Sequence, residues 1–170
     1  NTAAQAVRAL TGLGADLMTL HGSGGSAMLK AAAVAAADEA RRLSVIRPKL
    51  LAVTVLTSID ADEWQKLGHT NSISQSVLTM AVAAKAAGMD GTVSSPHEAA
   101  EIRRLNGPDF LIVTPGIRPS FAQSDDQKRV TTPKEAVQNG ATHLVVGRPI
   151  TKAADPQEAA RAIAEEIREV

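Results

Sequence analysis

The sequence predicts an α/β fold in which strands alternate with helices around a parallel sheet, as in a TIM (β/α)8 barrel, with about the last five βα units present. Three observations predict it. The hydrophobic period switches repeatedly between that of a helix and that of a buried strand. Each expected strand runs directly into glycine, proline or small polar residues. Candidate ligand-binding residues recur behind several strands instead of gathering at one switch point, and no Gly-x-Gly-x-x-Gly opens a first unit, which favours a barrel over an open doubly wound sheet.

In chain order, residues 2–13 form an alanine-rich helix with Ala6, Val7, Leu10 and Leu13 at helical spacing. A strand is expected over 16–20, and His21-Gly22-Ser23-Gly24-Gly25 turns it into a helix over 26–43. Residues 50–56 read as a buried strand, and Thr57-Ser58-Ile59-Asp60 starts the next helix. After an irregular stretch at 68–72, a helix over 73–87 stops at Gly88 and gives way to a short strand over 91–94. Ser95-Pro96-His97-Glu98 opens another helix. Two further units follow: a strand over 110–113 with a long polar loop and a helix over 133–139, then a strand over 143–146 and a last helix over 156–167. A complete barrel needs eight strands and about 250 residues. The 170 residues therefore read as a single partial barrel domain, with roughly three strands expected ahead of Asn1.

Composition narrows the function. Eighteen basic and eighteen acidic side chains cancel, and two Phe, one Trp and no Tyr leave almost nothing on which bases could stack, so no nucleic-acid partner is expected. The absence of cysteine excludes disulfides, thiolate chemistry and cysteine-ligated zinc. No run of about 18 apolar residues suggests a membrane span, and the expectation is a soluble, cytoplasmic protein. His21, His69, His97 and His143 are scattered, and no His/Asp/Glu set has metal-ligand spacing, so no metal is expected.

The chemistry-bearing signal is a pair of arginines, each set behind a strand and a glycine: Thr114-Pro115-Gly116-Ile117-Arg118 and Gly147-Arg148-Pro149. In barrel enzymes a phosphate commonly sits on the loops after the last two strands, where glycine admits backbone N–H groups and arginine supplies a permanently charged planar fork. The alternative reading of each arginine is a turn cap, but two at equivalent places in consecutive units favour the phosphate grip. Gly22-Ser23-Gly24-Gly25 lacks the lysine of a P-loop and reads as a tight βα turn.

With these motifs in place, the chain resembles the bacterial orotidine 5'-phosphate decarboxylases over essentially its whole length. The matching segments are His21-Gly22-Ser23-Gly24-Gly25, Leu51-Ala52-Val53-Thr54-Val55-Leu56-Thr57-Ser58, Val113-Thr114-Pro115-Gly116-Ile117-Arg118-Pro119, Asp126-Gln127-Lys128-Arg129 and Val146-Gly147-Arg148-Pro149-Ile150. That family's Asp-x-Lys-x-x-Asp-Ile-Pro-Asn-Thr run would finish at Asn1-Thr2, which places its catalytic lysine and aspartates ahead of Asn1. None of Lys49, Lys85 or Lys152 sits in the spacing of that run, so no catalytic residue is expected within the chain.

The resemblance implies cofactor-free conversion of orotidine 5'-phosphate (OMP) to uridine 5'-phosphate (UMP) and carbon dioxide, by a homodimer with sites at its interface. It implies binding roles for six residues. Arg148 is the phosphate's bidentate partner, with Gly147 as a backbone donor beside it. Arg118 is a second ligand-contacting arginine, and Gln127, in the polar loop 119–131, reaches toward phosphate and base. Thr57 reads the pyrimidine edge, although its hydroxyl could equally cap the helix that follows. Thr2 touches the ribose across the dimer interface or caps the first helix. Two alternatives stay open: another phosphate-binding barrel enzyme, such as a sugar-phosphate aldolase or 3-keto-gulonate-phosphate decarboxylase, and a non-catalytic nucleotide-binding half barrel.

Overall fold

Parallel strands in strict sequence order make up the sheet of the computed structural model, which describes residues 2–120 and 131–168. The strands are β1 (Leu17–His21), β2 (Lys49–Val53), β3 (Gly91–Val93), β4 (Leu111–Thr114) and β5 (His143–Leu144), paired β1-β2-β3-β4-β5. Each pair is parallel. Consecutive parallel strands joined through helices are the arrangement of five successive units of a TIM-barrel sheet. The helices among the described residues are α1 (Thr2–Gly12), α2 (Gly25–Leu43), α3 (Ala61–Lys66), α4 (Ile73–Ala86), α5 (Ala99–Asn106), α6 (Pro133–Gln138), α7 (Arg148–Thr151) and α8 (Pro156–Arg168).

Strand alternation decides which residues meet the helices. Met18, Leu50 and Ala52 pack with Ala32, Ala35 and Ala36 of α2 and with Ala4 and Val7 of α1. Ile112 packs with Val77, Ala81, Ala99 and Ile102 of α4 and α5. The alanines matter because a side chain of one methyl lets helix and sheet approach closely. The alternate row, on the other face, is His21, Val53, Val93, Val113 and His143, in register across all five strands. Leu17 and Val145 share its parity and remain 44% and 51% exposed.

Polar clamps hold the N-terminal ends of the strands. Arg47 donates to the Asp90 carboxylate at 2.7 Å, and the same carboxylate oxygen accepts the Leu50 N–H at 2.8 Å. Arg103 donates to the carbonyls of Gly107, Pro108, Phe110 and Gly140, at 2.7, 2.8, 2.7 and 2.9 Å. One guanidinium thus gathers the chain entering β4 and the turn entering β5.

Several expected boundaries shift. The strand expected over 50–56 starts at Lys49 and ends at Val53, and Leu56 is 48% exposed on the turn beyond it. The helix expected to start at Thr57 starts at Ala61, because residues 56–59 form a turn closed by Ile59 N–H donating to Leu56 O at 3.1 Å. The last strand keeps only His143 and Leu144 of the expected 143–146. Its pairing is nevertheless extended by side chain: the Thr142 hydroxyl accepts the Ile112 N–H at 2.9 Å and donates to Ile112 O at 3.1 Å. The 3-10 turn Gly22–Gly24 and the one-turn helix α7 had no counterpart in the expected elements.

Gly91 is the tightest point of the sheet, since a Cβ there would overlap the Leu111 backbone carbonyl and its side chain. Gly91→Ala is expected to destabilise the protein by about 1 to 3 kcal/mol, the usual cost of overpacking. Chemical denaturation of the variant beside the wild type checks this, and an unchanged midpoint would contradict it.

Candidate functional site

All five strands point the same way, so their C-terminal ends form one rim, the end of such a sheet that carries ligand sites. Buried hydroxyls knit that rim together. Thr54 Oγ1 donates to Val93 O at 3.0 Å and lies 3.2 Å from Ser94 Oγ. Thr114 Oγ1 donates to His143 O at 3.3 Å, and Val145 N–H donates to Thr114 O at 2.9 Å. Thr54, Ser94 and Thr114 are not among the candidate binding residues of the sequence; Thr54 and Ser94 stand directly behind a strand and Thr114 ends one, and a hydroxyl at that place is the signal that marks them.

Arg118 leaves this rim after β4. Gly116, at φ +79°, turns the chain there in a conformation that glycine adopts freely. Ile117 is buried against Ala136 and Ala141, and Arg118 follows it half-buried. Arg118 Nη1 donates to Ile117 O at 3.3 Å, whereas Nη2 is buried with no hydrogen-bond partner among the described residues. A desolvated guanidinium nitrogen left without an acceptor is costly. It is the arrangement expected where an anion completes the shell.

The second arginine stands one strand over. Gly147 precedes α7, and its carbonyl accepts from Ile150 N–H at 2.9 Å and Thr151 N–H at 3.0 Å. Pro149 has no N–H, so the donors at the open end of this turn are those of Gly147 and Arg148. A Cβ on Gly147 would meet nothing within 4 Å. Nothing within the described chain therefore requires glycine at this place by contact, and the space beside it is open to a ligand. Arg148 is half-buried at the first position of α7.

Thr57 lies on the rim turn after β2, half-buried. The helix cap is Asp60, whose carboxylate accepts from Glu63 N–H at 3.0 Å, so the Thr57 hydroxyl is not the cap. Thr2 is exposed at the first position of α1. Gln127, with its segment Asp126-Gln127-Lys128-Arg129, lies outside the described residues. His21 is exposed at the end of β1 and makes no capping hydrogen bond, while Gly22 passes close to β2, where a Cβ would come within 3.1 Å of Val53 O. The glycine cluster is thus a tight βα turn. A separate cleft of about 580 Å³ lies among α3, α4 and Glu98, and none of the six candidate binding residues lines it.

Two of the three lysines named above, Lys49 and Lys85, have partners away from the rim. Lys49 lies 3.6 Å from the Asp90 carboxylate at the opposite end of the sheet, and Lys85 donates to Asn106 O at 2.5 Å. Lys152 has Asp155 three residues on, but that carboxylate accepts the Gln157 and Glu158 N–H groups at 2.9 and 3.0 Å, at the start of α8.

Arginines on the adjacent loops after β4 and β5, an open glycine turn, and hydroxyls along one rim are the arrangement shared by (β/α)-barrel enzymes of the TIM class that bind phosphorylated ligands. The sequence profile of the orotidine 5'-phosphate decarboxylase / HUMPS family matches residues 1–163, and the chain belongs to that family. It is 50% identical over 168 residues to the orotidine 5'-phosphate decarboxylase of Moorella thermoacetica, covering 98% of this chain and 67% of that protein. It is 52% identical over 167 residues to that of Trichlorobacter lovleyi, covering 68% of it. The crystal structure of the Lactobacillus acidophilus orotidine 5'-phosphate decarboxylase superposes with a TM-score of 0.84 at 40% identity, over 98% of this chain and 70% of that one.

The cap and the rim hydroxyl can be separated experimentally. Asp60→Ala is expected to cost about 1 kcal/mol of stability, as a lost N-cap. Thr57→Val should stay within about 0.5 kcal/mol of wild type. Denaturant titrations of both variants check this; the reverse order would return the capping role to Thr57.

Proposed function

We propose that this chain supplies the phosphate- and base-binding part of a cofactor-free orotidine 5'-phosphate decarboxylase, which converts OMP to UMP and carbon dioxide in pyrimidine biosynthesis. The observation that carries the reading is the buried Arg118 Nη2 without an acceptor among the described residues, one strand away from the open Gly147-Arg148 turn. In the reaction the bond from C6 of the pyrimidine to its carboxylate breaks. Carbon dioxide leaves, the electron pair stays on C6, and a lysine ammonium delivers the proton there. The family resemblance assigns that lysine and its aspartates to an Asp-x-Lys-x-x-Asp run, which is not among these 170 residues.

The residues of this chain act on the far end of the substrate. Arg148 takes the phosphate as a charged fork, the Gly147 N–H adds a backbone donor, and Arg118 contributes a second cation from the neighbouring loop. Thr57 reads the pyrimidine edge with a hydroxyl that no helix cap consumes. Gln127 reaches phosphate and base, and Thr2 meets the ribose at the edge of a homodimer; both roles rest on the family resemblance. A cytoplasmic location rests on the same ground. Among the described residues no helix is long and apolar enough to cross a membrane.

Phosphate contacts remote from the reacting carbon can lower the barrier as well as tighten binding, because that binding energy helps hold the reactive end in place. In the complete protein, Arg148→Ala is expected to reduce kcat/KM for OMP by several powers of ten with little loss of stability. The assay is the ultraviolet absorbance change on decarboxylation, without added metal or cofactor. Near wild-type activity in the variant would remove the phosphate assignment; no decarboxylation by the complete wild-type protein would remove the activity itself.

A further inference from the structure

A continuous set of contacts runs from a helix cap to the main chain of Arg118. The β4 ladder ends at Thr114, so something else must hold the three residues beyond it. Arg118 N–H donates to Thr131 O at 3.0 Å, and Thr131 N–H donates to Gly116 O at 3.4 Å. Thr131 therefore grips the chain on both sides of Ile117, its partner in an isolated parallel bridge.

Thr131 is held in turn by its neighbour. Thr132 is the N-cap of α6: its hydroxyl accepts the Glu135 N–H at 3.2 Å. Glu135 Oε2 reaches back and accepts the Thr132 N–H at 3.1 Å and the Thr132 hydroxyl at 2.9 Å, completing a reciprocal capping box. Pro133 pre-sets the first turn of the helix, and Ile117 packs against Ala136 one turn further in. Hydrogen bonds and apolar contact thus tie the Arg118 backbone to the first turn of α6.

We propose that Glu135 is a positioning residue for the anion site, closing the cap that fixes Thr132 and Thr131, which in turn fix the backbone from which the Arg118 guanidinium is aimed. The proposal rests on the reading of Arg118 as a ligand-contacting arginine. Glu135 touches no ligand in this scheme; its task is to accept hydrogen bonds from Thr132. A glutamine side chain can accept the same bonds, because capping boxes are closed by Glu or Gln alike. Methionine, of similar length, fills the same space but offers no oxygen to accept from Thr132.

The test uses the complete protein and UMP as the probe, with dissociation constants measured calorimetrically for Glu135→Ala, Glu135→Gln, Arg118→Ala and the Arg118→Ala/Glu135→Ala pair. Glu135→Ala is expected to weaken UMP binding about three- to tenfold, the size of a lost cap expressed as affinity. Glu135→Gln should restore wild-type affinity, and the double variant should bind no more weakly than Arg118→Ala alone. That non-additivity is the readout that a purely structural cap would not produce. Glu135→Met should repeat the alanine result and replaces it if Glu135→Ala does not fold. Wild-type affinity in the folded alanine or methionine variant, or losses that multiply in the double variant, would overturn the proposal while leaving Arg118 in place. Unchanged affinity in Arg118→Ala would instead remove the ligand-contacting reading, and the proposal with it.

Discussion

Parallel register is the constraint on which the rest of this molecule depends. Because β1 to β5 run in one direction and pair in sequence order, every connection leaving a strand emerges at the same edge. Residues far apart in sequence, such as Thr57, Arg118 and Arg148, are thereby delivered to one rim, each four residues past the end of its strand. The other edge receives every chain entry, and there the structure concentrates its strongest polar clamps. Asp90 takes both Arg47 and the Leu50 amide, and Arg103 gathers four carbonyls.

The two edges differ in how far their charges are satisfied. At the entry edge, cations meet acceptors within the chain. At the rim, Arg118 keeps a buried nitrogen without one among the described residues. A folded protein tolerates such a group where a ligand completes it, and the open turn at Gly147 lies one strand away. Glu135 shows the opposite arrangement nearby: the backbone and hydroxyl of Thr132 hold its carboxyl below the usual glutamate range. Its cap therefore contributes above the ordinary glutamate pKa and is lost as pH falls through the lowered one.

Much of this was legible in the sequence, for physical reasons. Apolar runs at Leu50–Val53 and Leu111–Val113 report burial directly, and Gly116 and Gly147 mark the turns that carry the arginines. Boundaries were less legible wherever a side chain takes over a backbone task. Thr142 pairs with Ile112 through its hydroxyl ahead of β5, while β5 itself ends two residues before its apolar run does. Asp60 outcompetes Thr57 as a cap only because a turn intervenes, which depends on three-dimensional packing. The tie between Thr131 and Arg118 links residues thirteen positions apart and leaves no periodic trace.

Arg103 carries one more implication. By tying Gly107, Pro108, Phe110 and Gly140 together, it fixes where two neighbouring strands begin without touching where they end. Tolerance to sequence change is thus divided between the two ends of the sheet. Loops on the rim can be rebuilt for a different ligand while the entry edge keeps the strands aligned, so new specificities are open to this scaffold without redesigning its foundation.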